Sequence, residues 1–324
     1  MKHDRFFLKC RVLLGISLLS FTAALNATTQ ATNPTAQAAF QNHKEWFAAF
    51  LRNTNQKAVL KKAILHNLQY TFPHLWERIQ DPDYTFVTAL IGVGTGGVEI
   101  PLLQEGIKAR GTQHNFMTFC EDPSLQMREG FFAAAKTGGV EEQIAEYNLT
   151  PFEDPTYTPP QADLAIASHV WYYIKSWRQV ERPNNALAKY AHILSERSGV
   201  GMIALQSGTS DRYALSSDFA SRLNLQADLA GEEIVAELTR LGINHKSEIV
   251  ESYLNVESCF DEGHFNPNEE GKHLLSFLLR APWDSLSPNI QEHMKLIFLS
   301  KVQENGEEKL ILRDCHIWIS DCLK

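Results

Sequence analysis

The sequence predicts a doubly wound α/β domain, and three observations predict it. A β-rich apolar run over residues 85–91 breaks into glycines and resumes with helical periodicity through residue 103. Further apolar runs at 115–120, 163–168 and 200–206 alternate with helical stretches, the order of parallel strands joined by crossover helices. The chain has 324 residues, 44% hydrophobic and 21% charged, which is ample material for one large core.

Taken in order, the chain opens with Lys2, Arg5, Lys9 and Arg11 ahead of an apolar run over 12–25 and the small residues Asn26, Ala27 and Thr28. That layout predicts a secretory signal peptide over 1–27 and an exported, secreted or periplasmic chain. An uncleaved anchor or buried leader helix, with a cytoplasmic chain, is the competing reading. The run is short for a bilayer span, so no stable span is expected once the signal is removed. Residues 28–37 are Thr, Ala, Gln and Asn with Pro34, a composition that builds no core and predicts a flexible tether. From 38 the chain is one domain: a helical leader over 38–82, a cofactor-binding core over 83–206, and substrate-side helices and closing strands over 207–324. In the leader, Phe40, Trp46, Phe47, Phe50 and Leu51, then Leu60, Ile64 and Leu68, recur mostly at three and four.

The first strand empties into Gly92, Gly94, Gly96 and Gly97. Glycines there admit positive φ and let a ligand lie against the backbone at the C-terminal edge of a sheet. GVGTGG fits both the G-x-G-x-x-G loop of dinucleotide enzymes and the shorter G-x-G-x-G loop of S-adenosylmethionine enzymes, so the loop alone does not choose. The second strand, 115–120, ends in Glu121-Asp122-Pro123, where an acid can accept hydrogen bonds from a ribose; a helix cap is the bland alternative. A helix follows over 123–136, a short strand at 143–147 and a Pro-rich loop at 150–160. The fourth strand, 163–168, leads into HVWYYI, placing His169, Trp171, Tyr172 and Tyr173 where a substrate should sit; equally, those aromatics could open the next helix and pack as core.

A helix over 183–196 and the strand 200–206 complete another unit. Helices at 211–222 and 232–241, an extended region at 246–256, the insert CFDEGHFNPNEEG, helices at 272–280 and 289–299, and a last strand at 310–320 close the chain. The result is a Rossmann-like sheet of roughly seven strands, the last two open to pairing as neighbours, with a helical leader and a substrate-side insert. The net charge of −8 and the lack of a basic run speak against nucleic acid as a partner. Past Cys10, Cys120, Cys259, Cys315 and Cys322 form no C-x-x-C pair, and neither a zinc site nor a disulfide framework is indicated, though one bridge from Cys259 to Cys315 or Cys322 stays open.

GVGTGGVEI, EDPS, HVWYYIKSW and QSGTSD, in that order, resemble the class I S-adenosylmethionine-dependent methyltransferases. More narrowly, WFAAFLRNTNQ, NVESCFDEG, EEGKHLLSFL and CHIWIS resemble the histamine N-methyltransferases, a likeness spanning most of the chain after about residue 43. The resemblance implies S-adenosylmethionine as cofactor, with Gly92, Gly94 and Gly96 under its methionine part, Asp122 on the ribose, Gln126 near the adenosine, Thr150 by the adenine, and Ser168 with His169 beside the methyl group. For the acceptor, a small amine or imidazole, the family's glutamate, glutamine and asparagine stand here as Gln56, His169 and Asp314. Tyr172 and Tyr173 keep an aromatic pair, and Phe277 lines the same pocket. Two aromatic positions after the fifth strand have become Arg212 and Ser216. His169 and Asp314 are expected to orient the acceptor and assist proton loss, with Trp46 and Phe47 as further walls or as plain packing. No metal is implied, and a monomer is expected. A nicotinamide-dependent oxidoreductase and a non-catalytic ligand-binding protein are the alternatives.

Overall fold

In the computed structural model, residues 44–178 and 184–323 are described. The predicted signal peptide, the tether, the start of the leader and Pro183 lie outside them. The chain divides into two units, Met1–Ala48 and Ala49–Lys324.

The leader forms α1 (Lys44–Asn53), α2 (Gln56–Tyr70) and α3 (Pro73–Gln80). Pro73 opens α3, where its fixed φ fits the first turn and its missing N–H is not needed. Then come β1 (Phe86–Ile91), α4 (Glu99–Arg110), β2 (Phe116–Glu121), α5 (Leu125–Thr137), β3 (Ile144–Asn148), β4 (Leu164–Ser168), α6 (Ala186–Ser195), β5 (Val200–Gln206), α7 (Asp211–Arg222) and α8 (Gly231–Arg240). The chain ends with β6 (His245–Asn255), the hairpin β7 (Phe260–Asp261) and β8 (His264–Phe265), α9 (Glu269–Leu279), α10 (Pro288–Asn305) and β9 (Lys309–Ile319). Caps set several boundaries. Ser124 accepts from the Met127 N–H to start α5, Asn185 accepts from Leu187 and Ala188 to start α6, and Gly111 and Gly306 end α4 and α10 at positive φ.

Seven strands form one sheet in the order β3-β2-β1-β4-β5-β9-β6. β1, β2, β3, β4 and β5 pair in parallel; β9 runs antiparallel between β5 and β6. The last two long strands are therefore neighbours, as anticipated, and the CFDEG insert folds as the small β7–β8 hairpin. The wholly parallel dinucleotide fold has the order 3-2-1-4-5-6; here β9 is inserted before the last strand.

The central strands β1, β4 and β5 are buried on both faces, and strand alternation sorts their residues between them. Phe86 and Leu90 of β1 and Trp318 of β9 join one core with Leu60, Ile64, Leu68 and Phe131; Val87, Ala89 and Ile91, with Ile317 and Ile319, join the other with Leu187, Tyr190, Ile234 and Leu238. All six residues of β1 are buried, as a central parallel strand requires. At the end away from the glycine loop, the buried Asp163 carboxylate accepts from the Val87 N–H at 2.8 Å, Tyr84 Oη at 2.6 Å and Arg197 Nε at 3.0 Å, and pairs with Arg78. Cys120, Cys259 and Cys315 are buried free thiols and Cys322 an exposed one, so the bridge left open to Cys259 is not formed.

Candidate active site

The loops at the C-terminal ends of β1, β2 and β4 meet over one edge of the sheet. Gly92, Gly94 and Gly96 have φ of +61°, +56° and +75°, a conformation that leaves the loop to glycine. A Cβ on Gly92 would collide with Val170, and one on Gly97 with Lys57 Nζ, whereas one on Gly94 would meet nothing and project into open space. The loop is pinned to β2 by two carboxylates. Glu121 accepts from the Gly92 N–H at 3.2 Å and the Phe152 N–H at 3.0 Å; Asp122 accepts from Gly94 at 3.0 Å and Ser124 at 2.9 Å. Burial, with the charge of Asp122 adding to it, pushes Glu121 up to about 7 against the pull of those N–H groups. Burial also raises Asp122, which stays partly exposed at the mouth of the loop. Half-buried Lys57 reaches Gly97 with its Nζ, and the buried Glu99 opens α4: burial lowers the Lys57 ammonium and raises the Glu99 carboxyl, each opposed by the other's charge.

Opposite the loop lies a hydrogen-bonded cluster. Thr54 bridges to Leu254, and the Asn55 backbone and side chain bind Tyr253 of β6, which fixes the start of α2. Gln56, its first residue, then donates from Nε2 to both oxygens of Asp314 at 3.1 and 2.9 Å. Asp314 is 3% exposed and stands opposite Gln206 in the β5–β9 register. His169 follows β4 with φ +54°, its N–H bound to the Ala204 carbonyl at 2.8 Å. Its Nε2 lies 3.4 Å from Asp314 Oδ2, buried and without a well-formed hydrogen bond, and its Nδ1 lies 3.3 Å from Tyr172 Oη. Tyr172 Oη in turn accepts from the Gln206 N–H at 3.0 Å.

The expected site residues thus divide. Gln56, His169, Tyr172 and Asp314 form one contiguous network, although 258 positions separate Gln56 from Asp314. Gly92, Gly94, Gly96 and Asp122 form another. Ser168 closes β4 beside His169; Gln126 lies on the first turn of α5, partly exposed; Thr150 donates its N–H to Asn148 at the end of β3. Phe277 stacks on Phe50 with centroids 4.4 Å apart. Two expectations fare differently. Tyr173 is 51% exposed and touches Tyr172 edge-on, because Trp171 takes the buried position in that turn and consecutive residues cannot all face inward. HVWYYI forms turns, and α6 begins only at Ala186. Trp46 and Phe47 are partly exposed residues of α1 in the first unit, while every residue of the two networks belongs to the second.

Sequence reasoning passed over Glu121, Lys57 and Glu99. The tandem acid Glu121-Asp122 is the one local signal: the last residue of a buried strand faces inward, so its carboxylate must find N–H donors. Nothing in the local sequence marks Lys57 and Glu99 as partners, since an adjacent helix brings them together. Among the described residues no cluster of His, Cys, Asp or Glu is arranged to hold a metal ion, and no helix is long and apolar enough to cross a membrane.

No protein family's sequence profile matches the chain, and no curated protein is similar to it in sequence. Solved structures share its chain path loosely. A putative sarcosine dimethylglycine methyltransferase from Galdieria sulphuraria is 13% identical over 80% of this chain and 86% of its own, with a TM-score of 0.43. The YcgJ protein from Bacillus subtilis is 13% identical over 78% and 98%, with a TM-score of 0.45. A methyltransferase from Thiobacillus denitrificans, solved with S-adenosyl-L-homocysteine, is 15% identical over 76% and 89%, with a TM-score of 0.39. Likeness at this level transfers neither a reaction nor a residue's role, so the function rests on the geometry of the site.

Proposed function

We propose that this chain is an S-adenosylmethionine-dependent methyltransferase acting on the nitrogen of a small amine or imidazole. The observation that carries the reading is the meeting of two networks at one sheet edge: a positive-φ glycine loop tied to Asp122, and the buried Asp314 carboxylate set between Gln56 and His169. The residues fit the cofactor. The open space over Gly94 leaves room for a ligand against bare backbone, and Asp122 is a half-buried carboxylate at the strand end where ribose hydroxyls are bound. The inserted antiparallel β9 brings Asp314 to the site and sets the sheet apart from the parallel dinucleotide fold, which counts against the nicotinamide reading.

Bound there, the cofactor supplies an electrophilic methyl group on a sulfonium. The chain supplies position and charge. Gly92, Gly94 and Gly96 leave room for the methionine part, and Asp122 holds the ribose. Asp314 attracts the cationic nitrogen of an acceptor and fixes its direction, and the Gln56 amide fixes the carboxylate. An ammonium has no lone pair to attack with, so it must lose a proton first. His169, oriented by Tyr172 and beside Asp314, is the group placed to take that proton and pass it outward. Orientation alone is worth roughly 7–11 kcal/mol in such displacements, so a strong base is not required.

The test is methyl transfer from S-adenosylmethionine to a panel of small amines and imidazoles led by histamine. Asp314→Asn keeps the shape and removes the charge; it should lower kcat/KM by about 10²-fold or more while cofactor binding is unchanged. Unchanged kcat/KM in that variant would remove Asp314 from the mechanism, and binding without turnover across the panel would favour a ligand-binding protein.

A further inference from the structure

Downstream of β5, Arg212 lies in the first turn of α7 and is 8% exposed. Its guanidinium carbon sits 4.9 Å from the Phe277 ring centroid and 5.9 Å from that of Phe50. Among the described residues Arg212 makes no ion pair and no hydrogen bond, and its Nε is buried without a partner. Other arginines of the fold are matched: Arg280 pairs with Asp228 at 2.9 Å, Arg313 with Glu251 at 2.8 Å, and Arg78 and Arg197 with Asp163. The adjacent acid, Asp211, is turned elsewhere, accepting from Asn305 Nδ2 at 2.9 Å and the Ile311 N–H at 2.7 Å.

A buried cation is costly unless an anion meets it. Stacking on aromatic faces leaves the edge of a guanidinium free, and that edge matches the two oxygens of a carboxylate. Arg212 is tied to the acceptor network through α9: Phe277, under its guanidinium, lies three residues before Arg280, whose guanidinium carbon is 5.7 Å from the Tyr172 ring centroid and whose partner Asp228 accepts from Gln206 Nε2 at 3.2 Å. With Asp228 matched to Arg280, the site is left with the Asp314 carboxylate and one unmatched cation.

We propose that Arg212 is the seat for a carboxylate on the acceptor, so that the acceptor is a zwitterion, an amino acid or a carboxylate-bearing amine or imidazole. Its nitrogen goes to Asp314 and its carboxylate to the guanidinium. The assignment rests on the N-methyltransferase reading above and narrows its substrate class. No bond is made or broken at Arg212; it binds and orients.

The test uses the full chain loaded with S-adenosylhomocysteine. L-histidine is compared with histamine, and glycine with methylamine, by calorimetric titration, in the wild type, Arg212→Met and Arg212→Lys, each checked for folding by circular dichroism. In at least one pair the carboxylate-bearing member should bind about 10–100-fold more tightly in the wild type. Arg212→Met should abolish that preference without weakening the decarboxylated member or the cofactor product, and Arg212→Lys should restore part of it. Three results would each overturn the assignment: equal or tighter binding of the decarboxylated member, equal weakening of both by Arg212→Met, or binding of neither while S-adenosylhomocysteine binds. A carboxylate preference lost in Arg212→Met, in a chain that does not bind S-adenosylhomocysteine, would keep the seat and reject the methyltransferase.

Discussion

His169 occupies a left-handed backbone conformation that side chains enter at a cost of the order of 1 kcal/mol. Its N–H is held by Ala204 and its ring lies between Tyr172 and Asp314, so the strain is kept by its surroundings rather than by local preference. Glycine would accept the same φ freely. His169→Gly is therefore expected to keep stability within about 1 kcal/mol of wild type in a denaturant titration, while methyl transfer falls by about 10²-fold. A loss of stability well beyond that figure would mark the imidazole as structural. His169 was legible in sequence because it follows a central strand, where ligands meet an α/β sheet. Its link through Asp314 to Gln56 has no local signal, because no local pattern joins residues on different elements so far apart. Arg212 was visible as a departure from an aromatic position, but its burial without a partner was not, since that depends on where Asp211, Asn305 and Ile311 meet.

At the scale of elements, β4 is anchored at both ends by different chemistry. Its C-terminal end carries Ser168 and His169; before its N-terminal end Asp163 gathers Val87, Tyr84, Arg78 and Arg197. Asp163→Ala leaves the Val87 N–H and two arginines without their acceptor and should cost about 3–5 kcal/mol in a denaturant titration. A cost below about 1 kcal/mol would show that water replaces the carboxylate. The strands and helices were largely readable, because β1, β4 and β5 are buried on both faces and read as apolar runs. Boundaries moved by a few residues: α10 runs to Asn305, well past the 299 expected, until Gly306 ends it. The turn after β4 was harder to read, since three aromatics in a row give no period to follow. The place of β9 came from tertiary pairing, which a strand's own sequence does not encode.

Over the whole molecule, two buried ionisable groups give the pH dependence of stability opposite slopes. Burial raises Glu121 to about 7, so the folded state holds that proton more tightly and the contribution of Glu121 falls as pH rises from about 4.5 to 7. Burial lowers His316 to about 4, so its contribution is present above about pH 6.5 and is lost as pH falls toward 4. In the intact chain the two contributions offset each other over about pH 4.5–6.5. Glu121→Gln should uncover a rise in stability with pH across that interval, and His316→Leu a fall, each with a slope of up to about 1.4 kcal/mol per pH unit. Thermal unfolding from pH 4 to 8 reads both. Parallel curves for wild type and both variants would show that neither group titrates differently on unfolding.

The same molecule-wide arrangement places a glycine loop, Asp122 and the Asp314 network at one sheet edge, and the central claim is that this edge binds S-adenosylmethionine. The most direct measurement is a calorimetric titration of the folded chain with S-adenosylhomocysteine, beside NADH and the Asp122→Ala variant. Low-micromolar binding of S-adenosylhomocysteine, lost in Asp122→Ala and absent for NADH, is the predicted result. No binding of S-adenosylhomocysteine to folded protein, or binding of NADH in its place, would contradict it.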